Sequence, residues 1–451
     1  MFQPVALPLW LLVVILLFAA VTFASHFLFP SVRWFFRRRM ERAVARLNTR
    51  LTRPIEPFKL ARRHDMIQRL IYDGAVWAAI SDHARAEGVP ENVAFERARR
   101  YAREIVPSFS ATLYYGFAIR LARFISRRLY RVRLGHHAGE TLAQIDRDAT
   151  VVFVMNHRSN MDYVLVTYLA AEQSALSYAV GEWARVWPLS RLIRAMGAYF
   201  IRRRSRGDLY RRVLARYVAL ATEGGVTQAV FPEGGLSLDG ALGKPKLGIL
   251  RYIMDGYDAT GRDVVFIPVA INYDRVFEDK ILVAAAQRGD RRFGARISVV
   301  LKYIWRITWR WATGRYHRFG YAAVSFGAPL SLRAACATAP PDIDALAQDL
   351  MQRIGAVVPV LPVPLAAQVF LAAQVPLSRA AYGAAFAELV AAMPEAHIHA
   401  PREDMSYAVD YGLRNLVARG FVRETAGRYQ ITDEGRPLVQ YYANSIAHLL
   451  R

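Results

Sequence analysis

Val151-Val-Phe-Val-Met-Asn-His157-Arg-Ser-Asn-Met-Asp162 decides the reading of this chain. An apolar, β-branched run ends at Met155, polarity switches at Asn156, and a helical apolar pattern follows from Met161 through Val164, Leu165, Tyr168 and Leu169. That is a buried strand, a short polar turn and an amphipathic helix. His157 and Asp162 therefore fall at the carboxyl end of a strand, where open α/β sheets place their chemistry. On one continuous helix, residues five apart would point away from each other. With the histidine in the turn, the carboxylate can fold back onto one ring nitrogen and leave the other free as a base. Such a pair suits removal of a proton from an alcohol, because neutral imidazole titrates close to working pH.

Outward from this stretch, strand, turn and helix alternate from about 149 to 332. The strand candidates are Thr150–Met155, Tyr199–Ile201, Thr227–Phe231, Val264–Asn272, Arg296–Leu301 and Tyr321–Phe326. Residues 34 to 130 read as mostly helical, broken at Pro54–Pro57 and Gly88–Pro90. Between Leu301 and Arg318, Trp and Tyr are mixed with Arg; the segment suits a membrane interface, a base-stacking surface, or core aromatics beside surface charge. Beyond Pro341 the chain is helical, and near its end a helix, a hairpin through Ala426-Gly427 and a last helix resemble a winged module. Its candidate recognition helix is largely apolar, so packing against the rest of the protein is expected rather than DNA reading.

The amino terminus has its own character. Met1 to Ser31 contains no charged residue, and Val5 to Phe29 is long and apolar enough for a tilted transmembrane helix. Arg33, Arg37, Arg38, Arg39, Arg42 and Arg46 follow, which places the carboxyl side in the cytoplasm. The whole chain of 451 residues carries a formal charge of +23, almost all from arginine, since Lys59, Lys244, Lys246, Lys280 and Lys302 are its only lysines. An acidic partner is implied: nucleic acid, an anionic membrane surface or a phosphorylated substrate. A lone Cys336 excludes an internal disulfide framework and a cysteine-based zinc site.

Three further stretches complete a pattern: Gly197-Ala-Tyr-Phe-Ile-Arg202-Arg203, Phe231-Pro-Glu233-Gly234-Gly235-Leu-Ser237, and Val265-Phe-Ile-Pro268 running on to Asp274. With Asn156–Asp162 these four, in this order, resemble the glycerolipid acyltransferases, and within them the bacterial membrane-bound glycerol-3-phosphate acyltransferases. The resemblance implies an α/β fold, a mixed sheet layered with helices. The organisation it suggests is a membrane anchor at 1–32, a helical region at 33–130, the catalytic α/β domain at 131–335, and a helical region with a winged-helix-like end at 336–451.

The implied reaction moves a fatty acyl group from a thioester, acyl-CoA or acyl carrier protein, to a hydroxyl of glycerol 3-phosphate, with the monoacyl form as the alternative acceptor. His157 is then the base and Asp162 its orienting partner, with Arg158 and Ser159 beside them at the substrate. Arg202 or Arg203 would hold the acceptor phosphate, Glu233, Gly234 and Gly235 would shape the acceptor site, and Pro268 would lie by the acyl donor. The family commonly has an arginine where this chain has Leu236, so Lys244, Lys246 or Arg204 would substitute. No metal, no other cofactor and no nucleic acid are expected. The expected location is the inner membrane, with the catalytic domain on the cytoplasmic side and a phospholipid surface as partner.

Overall fold

The computed structural model describes residues 8–137, 144–169, 175–181, 189–202, 207–289, 318–337, 342–401 and 404–450. The chain divides into two units, Met1–Ile55 and Glu56–Arg451. The first is dominated by one helix, α1, Leu9–Asn48. Among the described residues no helix is long and apolar enough to cross a membrane. Much of the Val5–Phe29 run, on which the expected anchor rests, lies outside the described side chains.

In the second unit, α2 (Arg63–Ile71), α3 (Gly74–Glu87), α4 (Glu91–Ile105) and α5 (Ile119–Leu129) precede the sheet. The strands are β1 (Arg131–His137), β2 (Thr150–Met155), β3 (Ser177–Val180), β4 (Tyr199–Phe200), β5 (Gln228–Val230), β6 (Val264–Tyr273), β7 (Tyr321–Phe326) and β8 (Leu330–Ser331). Their order is β1-β7-β6-β2-β5-β3-β4, with β8 also on β6. The β6, β2, β5, β3 and β4 ladders are parallel, whereas β7 and β8 run antiparallel to β6. The sheet is therefore mixed, as expected. Every residue of β2 and β6 is buried, which explains why both read as uninterrupted apolar runs.

Helices α6 (Met161–Leu169), α7 (Asp208–Glu223) and α8 (Asp279–Arg288) follow β2, β4 and β6. Three strands of this sheet escape the sequence reading: β1, whose arginines disguise it, β3, only four residues long, and β8, only two. The expected strand Arg296–Leu301 and the aromatic–basic stretch to Arg318 lie almost wholly outside the described residues.

The carboxyl-terminal region has helices around a small three-stranded sheet, in the element order of a winged helix. Its elements run α9 (Pro362–Ala372), β9 (Leu377–Ser378), α10 (Arg379–Ala391), α11 (Met405–Ala418), β10 (Val422–Thr425) and β11 (Arg428–Ile431), and β11 pairs with both β9 and β10. Helix α11, in the recognition position, is turned onto the large sheet. Its Tyr411 ring lies 5.3 Å from that of Tyr321 on β7, and Arg419 just beyond it is paired with Asp279 on α8. A final helix, α12 (Arg436–Asn444), donates from Tyr442 to the same Asp279. One continuous apolar core runs from Met66 to Ile446. The region packs on the sheet through these contacts.

A buried lysine offers a check on the fold. Lys59 Nζ donates to the Ala175 carbonyl at 2.6 Å, 4.8 Å from the Phe109 ring centroid, and burial holds its pKa well below the usual lysine range. Between the folded and unfolded pKa values the unfolded chain binds the extra proton, so stability rises with pH through that window and levels off near about 10.4. Lys59→Met should flatten this slope, measured as urea midpoints from neutral to alkaline pH. An unchanged slope would show that Lys59 titrates normally in the folded protein.

Candidate active site

Three strand ends meet where β2 enters its turn. Asn156 extends β2 by one side chain: its Nδ2 donates to the Ile271 carbonyl at 3.0 Å and its Oδ1 accepts from the Ile271 N–H at 2.8 Å. The amide thus continues the ladder with β6 after the backbone has turned away. His157, 2% exposed, comes next. Its Nδ1 donates to Asp162 Oδ2 at 2.9 Å, so the ring folds back as the sequence predicts. The same Oδ2 accepts the backbone N–H groups of Arg158 at 2.7 Å and Ser159 at 3.0 Å. One carboxylate, in the first turn of α6, therefore closes the preceding turn and fixes the tautomer of the imidazole. The ring lies against Phe231, centroid to centroid 4.1 Å, with Tyr163 edge-on at 5.4 Å. With Nδ1 committed, Nε2 is the nitrogen that can take a proton.

Two residues that carried no role in the sequence reading complete the arrangement. Tyr273, at the end of β6 and wholly buried, donates its hydroxyl to Asp162 Oδ1 at 2.6 Å. Burial holds its pKa well above the usual phenol range, so it remains a donor. Glu278 accepts from Ser159 Oγ at 2.7 Å and from the Asn160 side chain at 2.9 Å. Burial raises its pKa, opposed by these hydrogen bonds. Ser159 is thereby turned away from His157, and its proton serves Glu278. This geometry does not favour an acyl-enzyme on Ser159.

The turn after β5 holds His157 from the other side. Glu233 accepts the His157 N–H at 2.8 Å and the Gly243 N–H at 2.9 Å, while the Ser237 N–H donates to the His157 carbonyl at 2.9 Å. Burial pushes the Glu233 pKa up, and the two N–H groups pull it down. Its side chain holds His157 in place through the backbone. Gly234 sits at φ +64°, and a Cβ there would come within 2.7 Å of the Lys246 side chain; Gly235 follows in the same turn. Lys244 and Lys246 are both exposed beside this turn.

Arg158 is 2% exposed, its Nη1 donates to the Gly240 carbonyl, and its guanidinium lies 5.0 Å from the Tyr441 ring on α12. It joins the catalytic turn to the carboxyl-terminal helix.

The remaining expected residues are placed differently. Arg202 leaves β4, three strand spacings from β2, and its fork is closed on Glu104, with Nε–Oε2 2.9 Å and Nη2–Oε1 2.5 Å. The guanidinium lies over Tyr101 and Tyr210. In this structure a carboxylate 98 residues earlier in the chain is its ionic partner. Arg203 and Arg204 lie outside the described residues. Pro268 is buried within β6 opposite Val154, at the point where β6 changes antiparallel partner from β8 to β7. There the strand tolerates a missing N–H, and Pro268 lies inside the sheet rather than at its carboxyl edge.

Two family models match the chain: "Acyltransferase" over residues 136–272 and "Glycerol-3-phosphate acyltransferase C-terminal region" over residues 308–451. The first covers all four motifs except the end of the last, and the second covers the winged helix and α12. Over these two stretches the chain resembles the glycerolipid acyltransferases.

Among similar proteins, one named glycerol-3-phosphate acyltransferase from Xanthomonas campestris pv. campestris is 26% identical, over 91% of this chain and 48% of its own length. One of the same name from Xylella fastidiosa strain M23 is 28% identical, over 68% of this chain and 35% of its own. The chain thus spans between about a third and a half of the curated relatives it matches. The crystal structure of a 1-acyl-sn-glycerophosphate acyltransferase from Thermotoga maritima aligns with a TM-score of 0.33 and 18% identity, over 53% of this chain and 75% of that one.

Tyr273 gives this arrangement a direct test. Tyr273→Phe removes one of the donors to Asp162 and leaves the others, so kcat should fall about tenfold, the loss of one charge-assisted hydrogen bond, while the acceptor KM stays unchanged. Steady-state kinetics would check this. A rise in KM with unaltered kcat would place Tyr273 in substrate binding instead.

Proposed function

We propose that this chain transfers a fatty acyl group from a thioester, acyl-CoA or acyl carrier protein, to the sn-1 hydroxyl of glycerol 3-phosphate, making lysophosphatidate. The single observation that carries this reading is the His157–Asp162 hydrogen bond at the end of β2, which leaves Nε2 as a base. The names of the relatives agree with it.

In the reaction, Nε2 takes the hydroxyl proton as the alcohol oxygen attacks the thioester carbonyl. The tetrahedral intermediate collapses, the carbon–sulfur bond breaks, and the imidazolium returns the proton to the departing thiolate. Asp162 stabilises the imidazolium while it exists. Since Arg202 is engaged by Glu104, we assign the acceptor phosphate to Arg203 and to Lys244 and Lys246 at the Glu233-Gly234-Gly235 turn. The enzyme would work on the cytoplasmic face of the inner membrane, with α1 at the lipid, where an anionic leaflet attracts a basic protein.

The test offers purified protein a radiolabelled long-chain thioester with glycerol 3-phosphate, with its monoacyl form, or with no alcohol. The expected product is labelled lysophosphatidate from the first mixture. Labelled phosphatidate from the second mixture alone would move the acceptor to 1-acylglycerol 3-phosphate. Release of free fatty acid without any alcohol would make the protein a hydrolase.

A further inference from the structure

Helix α5 and the single π-turn before it, Tyr114–Ala118, have one face that the core does not use. The inner face is conventional: Tyr114, Ala118, Ile119, Ala122 and Ser126 are buried. On the outer face, Phe117 is 49% and Phe124 56% exposed, and Arg120, Arg123, Arg127 and Arg128 are exposed around them. The spacing 117, 120, 124, 127 keeps the rings and guanidinium groups on one stripe.

Two large apolar rings held out in water are costly, and the sign of the charge around them is uniform. No acidic residue occurs between Glu104 and Glu140. The guanidinium of Arg128 lies 5.3 Å from the Phe124 ring centroid, and those of Arg123 and Arg127 lie 5.5 and 5.6 Å from the ring of Tyr168 on α6. Phe124 and Tyr168 thus carry cations at their rims.

We propose that this face docks on an anionic phospholipid surface, with Phe117 and Phe124 entering the boundary between headgroups and acyl chains and the four arginines meeting lipid phosphates. Charge complementarity selects the partner: a protein groove would accept the rings but not a wholly cationic rim, whereas an anionic leaflet accepts both. The face names the contact for the membrane partner proposed above, and it rests on that reading only for the choice of partner. Helix α5 packs directly on α6, the helix whose first turn holds Asp162. A bilayer at this face therefore lies alongside the element that carries the catalytic carboxylate, a suitable place for long acyl chains to pass between lipid and protein.

The test uses the full chain, so that α1 remains, and reads position rather than overall binding. In a Cys336→Ser background, Phe124→Cys carries a bimane label, and a sister protein carries it at Tyr72→Cys, an exposed aromatic on α2's carboxyl cap. Each is mixed with vesicles of phosphatidylcholine alone or with phosphatidylglycerol, containing nitroxide-labelled acyl chains. The expected result is strong quenching at position 124 in the phosphatidylglycerol vesicles, little in phosphatidylcholine, and none at position 72 in either. Phe117→Ser with Phe124→Ser should lower affinity for the anionic vesicles roughly tenfold or more, with turnover of a short, water-soluble thioester unchanged.

A label at 124 that stays as bright as the one at 72 on vesicle-bound protein would overturn the proposal. So would shielding of that label by a single-stranded oligonucleotide and not by vesicles. Because no substrate is present in the quenching experiment, its failure is independent of whether the acyl transfer reaction itself is confirmed.

Discussion

Replacing His157 with alanine should lower kcat/KM for acyl transfer by about a thousandfold or more, the upper range for loss of a positioned base, while the fold survives. The reason for the second half lies at Asp162. After the imidazole is gone, that carboxylate still accepts from the Arg158 and Ser159 N–H groups and from the Tyr273 hydroxyl. The turn therefore keeps its closure, and thermal melting should change little.

Asp162→Asn behaves differently, because an amide can serve only part of this donor set. Activity should fall comparably, since the imidazole loses its tautomer, and stability should drop by about 2–4 kcal/mol as buried N–H groups lose their acceptor. Measuring both variants by thioester turnover and by urea unfolding separates chemistry from scaffold. Full turnover by His157→Ala would move the base to another residue and end the assignment made here.

Gly240→Ala should be the most damaging small substitution in the molecule. At φ +88° the position resists any side chain, and a Cβ there would lie 1.8 Å from the carbonyl oxygen of Tyr441. Neither side can retreat cheaply. Gly240 is held by Ser237 Oγ at 3.0 Å and by the Arg158 guanidinium, and Asn444 donates to the neighbouring Asp239 carbonyl at 2.8 Å. A loss of about 3–5 kcal/mol is expected, the cost of overpacking combined with strained backbone. Activity should fall with it, because the same turn carries the Ser237 bond to the His157 carbonyl.

Gly88→Ala is the control. That glycine caps α3 at φ +62° in open space, so its substitution should cost about 1 kcal/mol and leave turnover alone. Equal effects from the two substitutions in urea unfolding would show that contact with Tyr441 is not what makes Gly240 special.

The sheet's buried centre was legible because β2, β5, β6 and β7 are apolar on both faces, and a residue run records that directly. Edge strand β1 was not, since Arg131 and Arg133 point toward Tyr321 and the winged helix, and polarity broke the pattern. The His157–Asp162 pair was legible because five residues of turn and helix settle it locally. Tyr273 and Glu278 were not, for they reach the turn across 111 and 119 residues, and only the register of β6 beside β2 puts them there. Arg202 shows the converse. Its neighbours in sequence suggested an anion, and the anion is Glu104, brought in by the packing of α4.

The tie between Gly240 and α12 also bears on synthesis. The turn at His157 is fastened by Arg158 and Ser237 to a loop whose shape depends on Tyr441 and Asn444, the latter 205 residues after the Asp239 carbonyl it bonds. On the ribosome, the imidazole would be made long before the helix that braces it. A nascent chain would hold a histidine without a settled partner surface until Arg436–Asn444 had emerged and folded back. Chains interrupted earlier should then be inert toward thioesters, which would spare the cell's activated acyl pool from futile cleavage by incomplete copies.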